Sequence, residues 1–221
     1  MDLKFGIIAD NWIFLLSAAL LTIKITTFSF LLALIVAFIV GTLRCEKLPE
    51  AIEKVLSLYV EVFRGTPLLI QLFFIYYGLP SIGINIPGFL AAIIGLALNS
   101  AAYMSEIVRA SINSVPVGQQ EASFVLGYNR FQSLVYIIYP QAVRVAIPTL
   151  MNSFSTMLKE SSLVSILAIT ELTRIGNLIY TRTYRAFEIY LTLGVIYFIM
   201  TYAVSLISRK IEKRINKAYV C

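Results

Sequence analysis

An apolar stretch near the start of the chain sets the solvent in which the protein folds. Residues Trp12–Leu43 are almost wholly apolar, and Ile25–Leu43 contains no charged side chain. A helix needs about 20 such residues to cross the hydrocarbon of a bilayer. Of the 221 residues, 59% are hydrophobic and 14% are charged, against about 45–50% and 25% in soluble domains. A soluble fold of this size cannot bury so much apolar surface, so lipid must be part of the solvent.

Four further apolar stretches follow, at about residues 56–79, 88–108, 143–169 and 189–208. We therefore expect an all-α membrane protein with five transmembrane helices, in a single transmembrane domain covering residues 1–221. Glu61 and Arg64 interrupt the second stretch, and Pro49–Phe63 is expected to lie partly at the membrane surface as an amphipathic helix. The N-terminus lacks the basic cluster and cleavage site of a signal peptide, so the first stretch is expected to be retained.

The distribution of Lys and Arg predicts the orientation, because cytoplasmic loops carry an excess of these residues. With five alternating spans, eleven basic residues fall on the side of the C-terminus and four on the other. The eleven are Arg44, Lys47, Lys54, Arg109, Arg130, Arg144, Arg209, Lys210, Lys213, Arg214 and Lys217, and the four are Lys4, Arg174, Arg182 and Arg185. We expect the N-terminus outside and the C-terminus in the cytoplasm.

Composition and missing motifs exclude several functions. The chain has no histidine, and its two cysteines, Cys45 and Cys221, are far apart, so Ser-His-Asp catalysis, a metal site and a disulfide framework are not expected. The net charge of +6 is accounted for by cytoplasmic basic residues, and no basic run is interleaved with aromatic residues as in nucleic-acid-binding proteins. A Gly-x4-Gly-Lys-Ser/Thr phosphate loop is missing, so the chain is not expected to be an ATPase.

The segment between the third and fourth stretches, about residues 113–142, has the pattern of two short helices joined by a turn. Residues Val117–Leu126 form the first predicted helix, and Gly127 suits the left-handed position just past its end. Asn129 is a capping residue for a second helix, which Pro140 is expected to end. This module is suited to docking a cytoplasmic partner, although a plain connector between two spans has the same features.

The motifs of this segment resemble those of a known family. Glu121-Ala122-Ser123, followed by Gly127 and Pro140, resembles the Glu-Ala-Ala…Gly loop of permease subunits of ATP-binding-cassette importers. Three further stretches resemble the polar amino-acid subfamily, in order along the chain. They are Arg64-Gly65-Thr66-Pro67-Leu68-Leu69-Ile70-Gln71-Leu72-Phe73-Phe74, Asn99–Arg109, and Leu158–Ser165 followed by Thr170-Glu171-Leu172. The departures are small: Ser123 replaces the second alanine, and Glu160 stands where aspartate is common.

The resemblance implies a permease subunit of an ATP-driven amino-acid importer, multi-pass in a bacterial-type inner membrane. It implies a second permease protomer, expected to form a homodimer, and two cytoplasmic ATPase subunits that hold ATP and Mg²⁺. It also implies an extracytoplasmic amino-acid-binding protein. Contact with the ATPase is assigned by the resemblance to Glu121, Ala122, Ser123, Gly127 and Pro140. No cofactor and no metal are expected on this chain.

Ionisable side chains at membrane depth mark the candidate site, since each costs about 2.5–3.5 kcal/mol on insertion scales. Glu160 in the fourth span shares a helical stripe with Ser153, Thr156 and Met157, and Asn99 shares a face of the third span with Tyr103. The candidate substrate-binding residues are Glu160, Asn99, Tyr103, Thr156, Met157, Ser153 and Ser161. A buried carboxylate needs a cation, which favours a basic substrate (arginine, lysine or histidine).

Other interpretations remain open from the sequence. Glu160 has a structural alternative, an ion pair with Lys24 or with Lys159 of a second copy. Glutamine or glutamate are alternative substrates, and an ion-coupled secondary transporter or a non-transporting membrane subunit are alternative functions. Glu61 with Arg64, and Glu106 with Arg109, are expected to be structural pairs near the inner interface.

Overall fold

The computed structural model describes residues 3–46 and 48–217, with side chains up to Arg214. Lys47, Cys221 and the side chain of Lys217 lie outside this part. All regular structure within it is helical, as expected. The α-helices are α1 (Gly6–Asp10), α2 (Trp12–Leu43), α3 (Glu50–Gly65), α4 (Leu68–Phe73), α5 (Gly88–Asn113), α6 (Val117–Val125), α7 (Arg130–Ser133), α8 (Tyr139–Glu160), α9 (Leu172–Thr183) and α10 (Ala186–Lys217). Leu134–Ile138 is a π-helical turn, and Ser161–Leu167 is a 3-10 helix.

Four helical segments are long and apolar enough to cross a membrane, namely Trp12–Leu43, Gly88–Asn113, Arg130–Leu167 and Ala186–Arg214. A fifth crossing is formed if α3 and the helical run Leu68–Ile82 count as one span, since these two are bent by 108° relative to each other. The five spans expected from the sequence thus correspond to four unbroken segments and one bent pair.

The bend between α3 and α4 is packed against the middle of α5. Tyr59 on α3 donates a hydrogen bond to the carbonyl of Leu98, 2.7 Å away, near the middle of the span-length helix α5. The helix ends because Pro67 disfavours helical backbone in the residue before it, and Thr66 is accordingly extended, at φ −116° and ψ 145°. The C-terminal end of α3 therefore lies beside the centre of α5.

Two buried amides hold this bend in place. The Nε2 group of Gln71 donates to the carbonyls of Phe63 and Thr66 at 2.9 and 3.0 Å and to the Thr66 hydroxyl at 2.8 Å. The Nδ2 group of Asn99 donates to the Phe63 carbonyl and to Oε1 of Gln71, both at 3.1 Å. These bonds satisfy carbonyls that the broken helix leaves without an intrahelical partner. The bend is thus tied to α5.

Helices α2 and α5 pack closely against each other. A Cβ atom on Gly41 of α2 would lie 2.7 Å from the carbonyl oxygen of Ser105 and 2.8 Å from Cβ of Val108. Small residues at such a crossing let two membrane helices approach closely. The fully buried alanines of the two helices include Ala33, Ala37, Ala97 and Ala101.

We expect Gly41→Ala to lower the stability of the protein by about 1–3 kcal/mol, the usual cost of overpacking. The added methyl overlaps a backbone oxygen, which moves only if α2 and α5 separate. Thermal unfolding of the detergent-purified protein measures this. Gly194→Ala on α10 is the matched control, because nothing lies within 4 Å of a Cβ built there. Equal stability of Gly41→Ala and wild type would contradict this packing.

Helices α9 and α10 pack against each other and are joined through Glu171. Glu171, within the Thr170-Glu171-Leu172 motif, caps α9 by accepting hydrogen bonds from the backbone N–H groups of Thr173 and Arg174 at 2.9 and 2.7 Å. The Tyr197 hydroxyl of α10 also donates to this carboxylate at 3.2 Å. The motif is therefore structural here. Much of α10 is exposed, and its exposed side chains include Phe198, Ile199 and Ile207, as suits a helix that faces lipid.

Candidate functional site

A cavity of about 660 Å³ lies between α5 and α8, beside the bend that follows α3. This volume is within the range of small-molecule sites, about 300–1,000 Å³. Its lining consists of Arg64 from α3, then Asn99, Ser100, Tyr103, Glu106, Ile107 and Ala110 from α5, then Thr149, Asn152, Ser153, Thr156 and Glu160 from α8. The polar side chains of two span-length helices thus converge on one space.

One face of α8 supplies five polar side chains to the cavity. Each lies three or four residues from another of the set, which places them in one stripe of a helix. They are Thr149, Asn152, Ser153, Thr156 and Glu160. Glu160 is the last residue of α8 and is partly buried. Among the described residues it forms no salt bridge. The ion pair with Lys24 considered from the sequence is therefore not formed within the chain.

On α5, the two predicted residues Asn99 and Tyr103 are held by hydrogen bonds to the bend between α3 and α4. The amide nitrogen of Asn99 donates hydrogen bonds to Phe63 and Gln71, as described above. Its Oδ1 accepts no hydrogen bond from the described residues. The Tyr103 hydroxyl donates to the backbone carbonyl of Arg64 at 3.2 Å. Asn99 therefore offers an acceptor to the cavity, and Tyr103 offers mainly its ring.

Two predicted residues do not line the cavity. Met157 is fully buried in the core formed by α2, α4, α5 and α8, because it lies one position off the polar stripe. Ser161 is buried, and its hydroxyl donates to the carbonyl of Leu158 at 2.7 Å. We leave both out of the site proposed below. Thr149 and Asn152 were missed, although extending the stripe of Ser153 by one turn along α8 identifies them.

The charges that line the cavity differ from one another in their partners. Glu106 forms salt bridges with Arg44 and with Arg109, the latter at 2.7 Å, so the predicted structural pair is confirmed. Arg64 was expected to be a structural charge too, but it forms no salt bridge with Glu61 or with another described residue. Its guanidinium instead lies over the ring of Tyr103, 5.4 Å from the centroid.

The segment predicted to dock a partner has the expected turn. Gly127 has φ +83°, and the backbone N–H groups of Gly127 and Tyr128 donate to the carbonyls of Phe124 and Ser123, both at 3.0 Å. This is the Schellman pattern at the end of a helix. Asn129 caps α7 in a reciprocal capping box with Gln132, as predicted.

The prediction that Pro140 ends the second helix is wrong. Helical structure continues from α7 through the π-helical turn Leu134–Ile138 into α8, which includes Pro140 in its first turn. A π-turn changes the hydrogen-bonding step, and a residue in the first turn of a helix needs no N–H donor. The proline is thereby accommodated, and the segment joins the fourth span directly.

The outer surface of this segment is apolar and exposed. Glu121 and Ala122 are exposed on α6, whereas Ser123 is buried and its hydroxyl bonds to that of Ser133 at 2.6 Å. The exposed apolar side chains are Val117, Phe124, Val125, Leu126 and Phe131. Glu121 and Ala122 thus lie on an unpartnered surface, and Ser123 holds α6 against α7.

The same segment is fastened to the spans. Arg130 of α7 forms a salt bridge with Glu46, which follows α2, and the hydroxyls of Thr42 and Tyr139 are hydrogen-bonded. The segment is therefore joined to α2 as well as to α8.

Comparison with known proteins decides the family. Residues 29–217 match the family described as the binding-protein-dependent transport system inner membrane component. The chain belongs to this family. The resemblance to ATP-binding-cassette importer permeases is thereby confirmed, and the permease is a transport subunit with several membrane helices.

Relatives align over nearly the whole permease. It is 39% identical over 202 residues to the probable amino-acid ABC transporter permease protein PatM of Vibrio harveyi, covering 90% of each chain. It is 39% identical to the L-cystine transport system permease protein TcyB of Bacillus subtilis, covering 93% of this chain and 88% of the relative. The arginine transport system permease protein ArtQ of B. subtilis is 32% identical, over 98% and 99%.

The structure also matches a solved one described as an amino acid ABC transporter with histidines. The two superpose with a TM-score of 0.90 at 38% identity, covering 97% of this chain and 100% of the other. Because the relatives are named for different amino acids, membership of the family does not decide the substrate.

Proposed function

We propose that the permease forms the pathway of an ATP-driven importer for a basic amino acid, such as arginine, lysine or histidine. The observation that carries this proposal is Glu160, a half-buried carboxylate that lines the open cavity between α5 and α8 and has no basic partner among the described residues. A charged group at membrane depth is costly unless it is neutralised. The substrate supplies the missing cation.

Neutral polar groups around Glu160 suit the rest of an amino acid. Ser153 and Thr156 offer hydroxyls on the same stripe of α8, Asn99 offers its Oδ1 from α5, and Tyr103 offers a ring. A cation interacts favourably with an aromatic face. The likeness to a solved amino acid transporter with histidines, 38% identical to this chain, supports a basic substrate as well.

The proposed energy coupling uses the exposed surface of α6 and α7, with Glu121, Ala122, Gly127 and the apolar side chains beside them. One cytoplasmic ATPase subunit, which holds ATP and Mg²⁺, docks on each protomer of a permease homodimer, and an extracytoplasmic binding protein delivers the substrate. In this arrangement the N-terminus is outside and the C-terminus is cytoplasmic, in the inner membrane. The salt bridge from Arg130 to Glu46 transmits the motion to α2.

Glutamine is the second candidate substrate. The side chains of Asn99 and Asn152 line the cavity and are suited to bonding another amide, and the glutamine transport system permease protein GlnP of Escherichia coli is 38% identical over 160 residues, 72% of this chain and 73% of that one. Glutamate is disfavoured, because Glu160 would repel a second carboxylate.

Reconstitution tests the proposal. The permease is incorporated into liposomes with the proposed ATPase and binding-protein partners, and uptake of radiolabelled arginine is measured. We expect uptake that requires ATP on the ATPase side, survives dissipation of ion gradients, and is inhibited by lysine or histidine more than by glutamine. Uptake that ends when the ion gradient collapses would support a secondary transporter. Inhibition by glutamine alone would contradict the basic class.

A further inference from the structure

Arg64 is the last charged residue of α3, directly before the break at Gly65-Thr66-Pro67. Tyr103, whose hydroxyl donates to the Arg64 carbonyl, belongs to the middle of α5. The guanidinium, which belongs to an exposed residue, thus lies beside the middle of a span-length helix. A charged residue there is a functional candidate by default, because its insertion is costly.

The charges that face the cavity leave one group of each sign without a partner. Glu106 is neutralised by Arg44 and Arg109. The remaining charges of the lining are Arg64 and Glu160, and neither forms a salt bridge among the described residues. The cavity therefore presents one unpaired cation and one unpaired anion to a bound molecule. These two charges complement an amino acid, which carries an ammonium and a carboxylate.

We propose that Arg64 binds the α-carboxylate of the transported amino acid, while Glu160 binds a cationic group of the same molecule. This inference rests on the proposed function, and it adds a second charged contact that makes a free carboxylate a requirement for binding. The guanidinium is planar and bonds a carboxylate through two parallel N–H groups, a geometry that lysine does not offer.

Tyr103 positions the guanidinium for this role. Its hydroxyl holds the backbone of Arg64, and its ring lies under the side chain at 5.4 Å. A cation over an aromatic face is favoured electrostatically without using up its N–H donors. Arg64 thereby stays ordered while its donors remain available to a ligand.

The test compares arginine with argininamide, which keeps both cations and lacks the carboxylate. Binding is measured directly on the purified permease–ATPase complex in nanodiscs, because the binding protein applies its own selection. We expect wild type to bind arginine about tenfold or more tightly than argininamide, the value of a charge-assisted hydrogen bond of about 1.5–3 kcal/mol. Arg64→Gln should reduce arginine binding to the level of argininamide and leave argininamide binding unchanged.

Four further variants separate a binding role from a structural one. Arg64→Lys should recover part of the discrimination, and Tyr103→Leu should weaken it more than Tyr103→Phe. Lys24→Gln removes an exposed cation from α2 that does not line the cavity, and it should have no effect. Equal loss of arginine and argininamide binding in Arg64→Gln would overturn the inference, and so would wild type binding both ligands equally.

The same comparison distinguishes this inference from the proposed substrate class. If wild type binds glutamine and not arginine, the basic class is wrong, and the pair glutamine and glutaminamide then tests Arg64 in the same way. If Glu160→Gln leaves arginine binding intact while Arg64→Gln removes the preference over argininamide, the role of Glu160 fails and that of Arg64 stands. A complex that binds neither arginine nor glutamine would contradict both.

Discussion

Glu160→Gln is expected to abolish uptake of arginine while leaving the complex assembled. The substitution keeps the size and hydrogen bonding of the side chain and removes its charge, so a cationic substrate loses the group that neutralises it. A hydrogen bond to a charged group contributes about 1.5–3 kcal/mol, and affinity should fall about 10- to 100-fold. Uptake into proteoliposomes measures transport, and size-exclusion chromatography with the ATPase measures assembly.

Glu53→Gln is the matched control for Glu160→Gln. Glu53 lies in the first turn of α3, is exposed and does not line the cavity, so its neutralisation should leave uptake unchanged. Normal arginine uptake by Glu160→Gln would show that Glu160 is structural, for example as an ion pair with a second copy of the chain.

Gly127→Val is expected to uncouple the permease from its ATPase. The residue has φ +83° and nothing lies within 4 Å of a Cβ built there, so the change introduces backbone strain without a clash. For L-residues this region costs about 1–2 kcal/mol, and a β-branched side chain tolerates it least. The turn that sets α6 against α7 should distort, lowering both ATPase association and uptake.

Two controls isolate the turn itself. Gly127→Asn should retain most of the coupling, because asparagine tolerates the left-handed conformation. Gly83→Val introduces the same kind of strain at φ +85°, also with no atom within 4 Å, but in the loop before α5, and it should leave ATPase association intact. Unimpaired ATP-driven uptake by Gly127→Val would contradict the coupling role of this segment.

Local patterns in the sequence predicted most of the fold. Hydropathy located the five apolar stretches, and single residues with one conformational preference, Gly127 and Asn129, predicted the turn and the cap that the structure contains. The polar stripe of α8 followed from helical spacing. These features depend on residues that are close in sequence, and for this reason they could be predicted from the sequence.

The errors arose where a residue depends on contacts from distant segments. Arg64 has Glu61 one turn away, so pairing was the natural expectation, and only the packing of α3 on α5 places it over Tyr103. A proline usually ends a helix, because it lacks an N–H donor. At Pro140 the π-helical turn before it changes the hydrogen-bonding step, so the helix continues. Met157 lies near the polar stripe, but its exact angle on α8 directs it into the core.

The central claim, that the cavity between α5 and α8 is the substrate pathway, is tested most directly by thiol labelling. Thr156→Cys is introduced after both native cysteines are replaced by serine, in the permease–ATPase complex in nanodiscs. Thr181→Cys, on an exposed position of α9, serves as the control. We predict that arginine slows methanethiosulfonate labelling at position 156, has no effect at 181, and loses its effect when Glu160→Gln is added. A labelling rate at 156 that is the same with and without arginine would contradict the account.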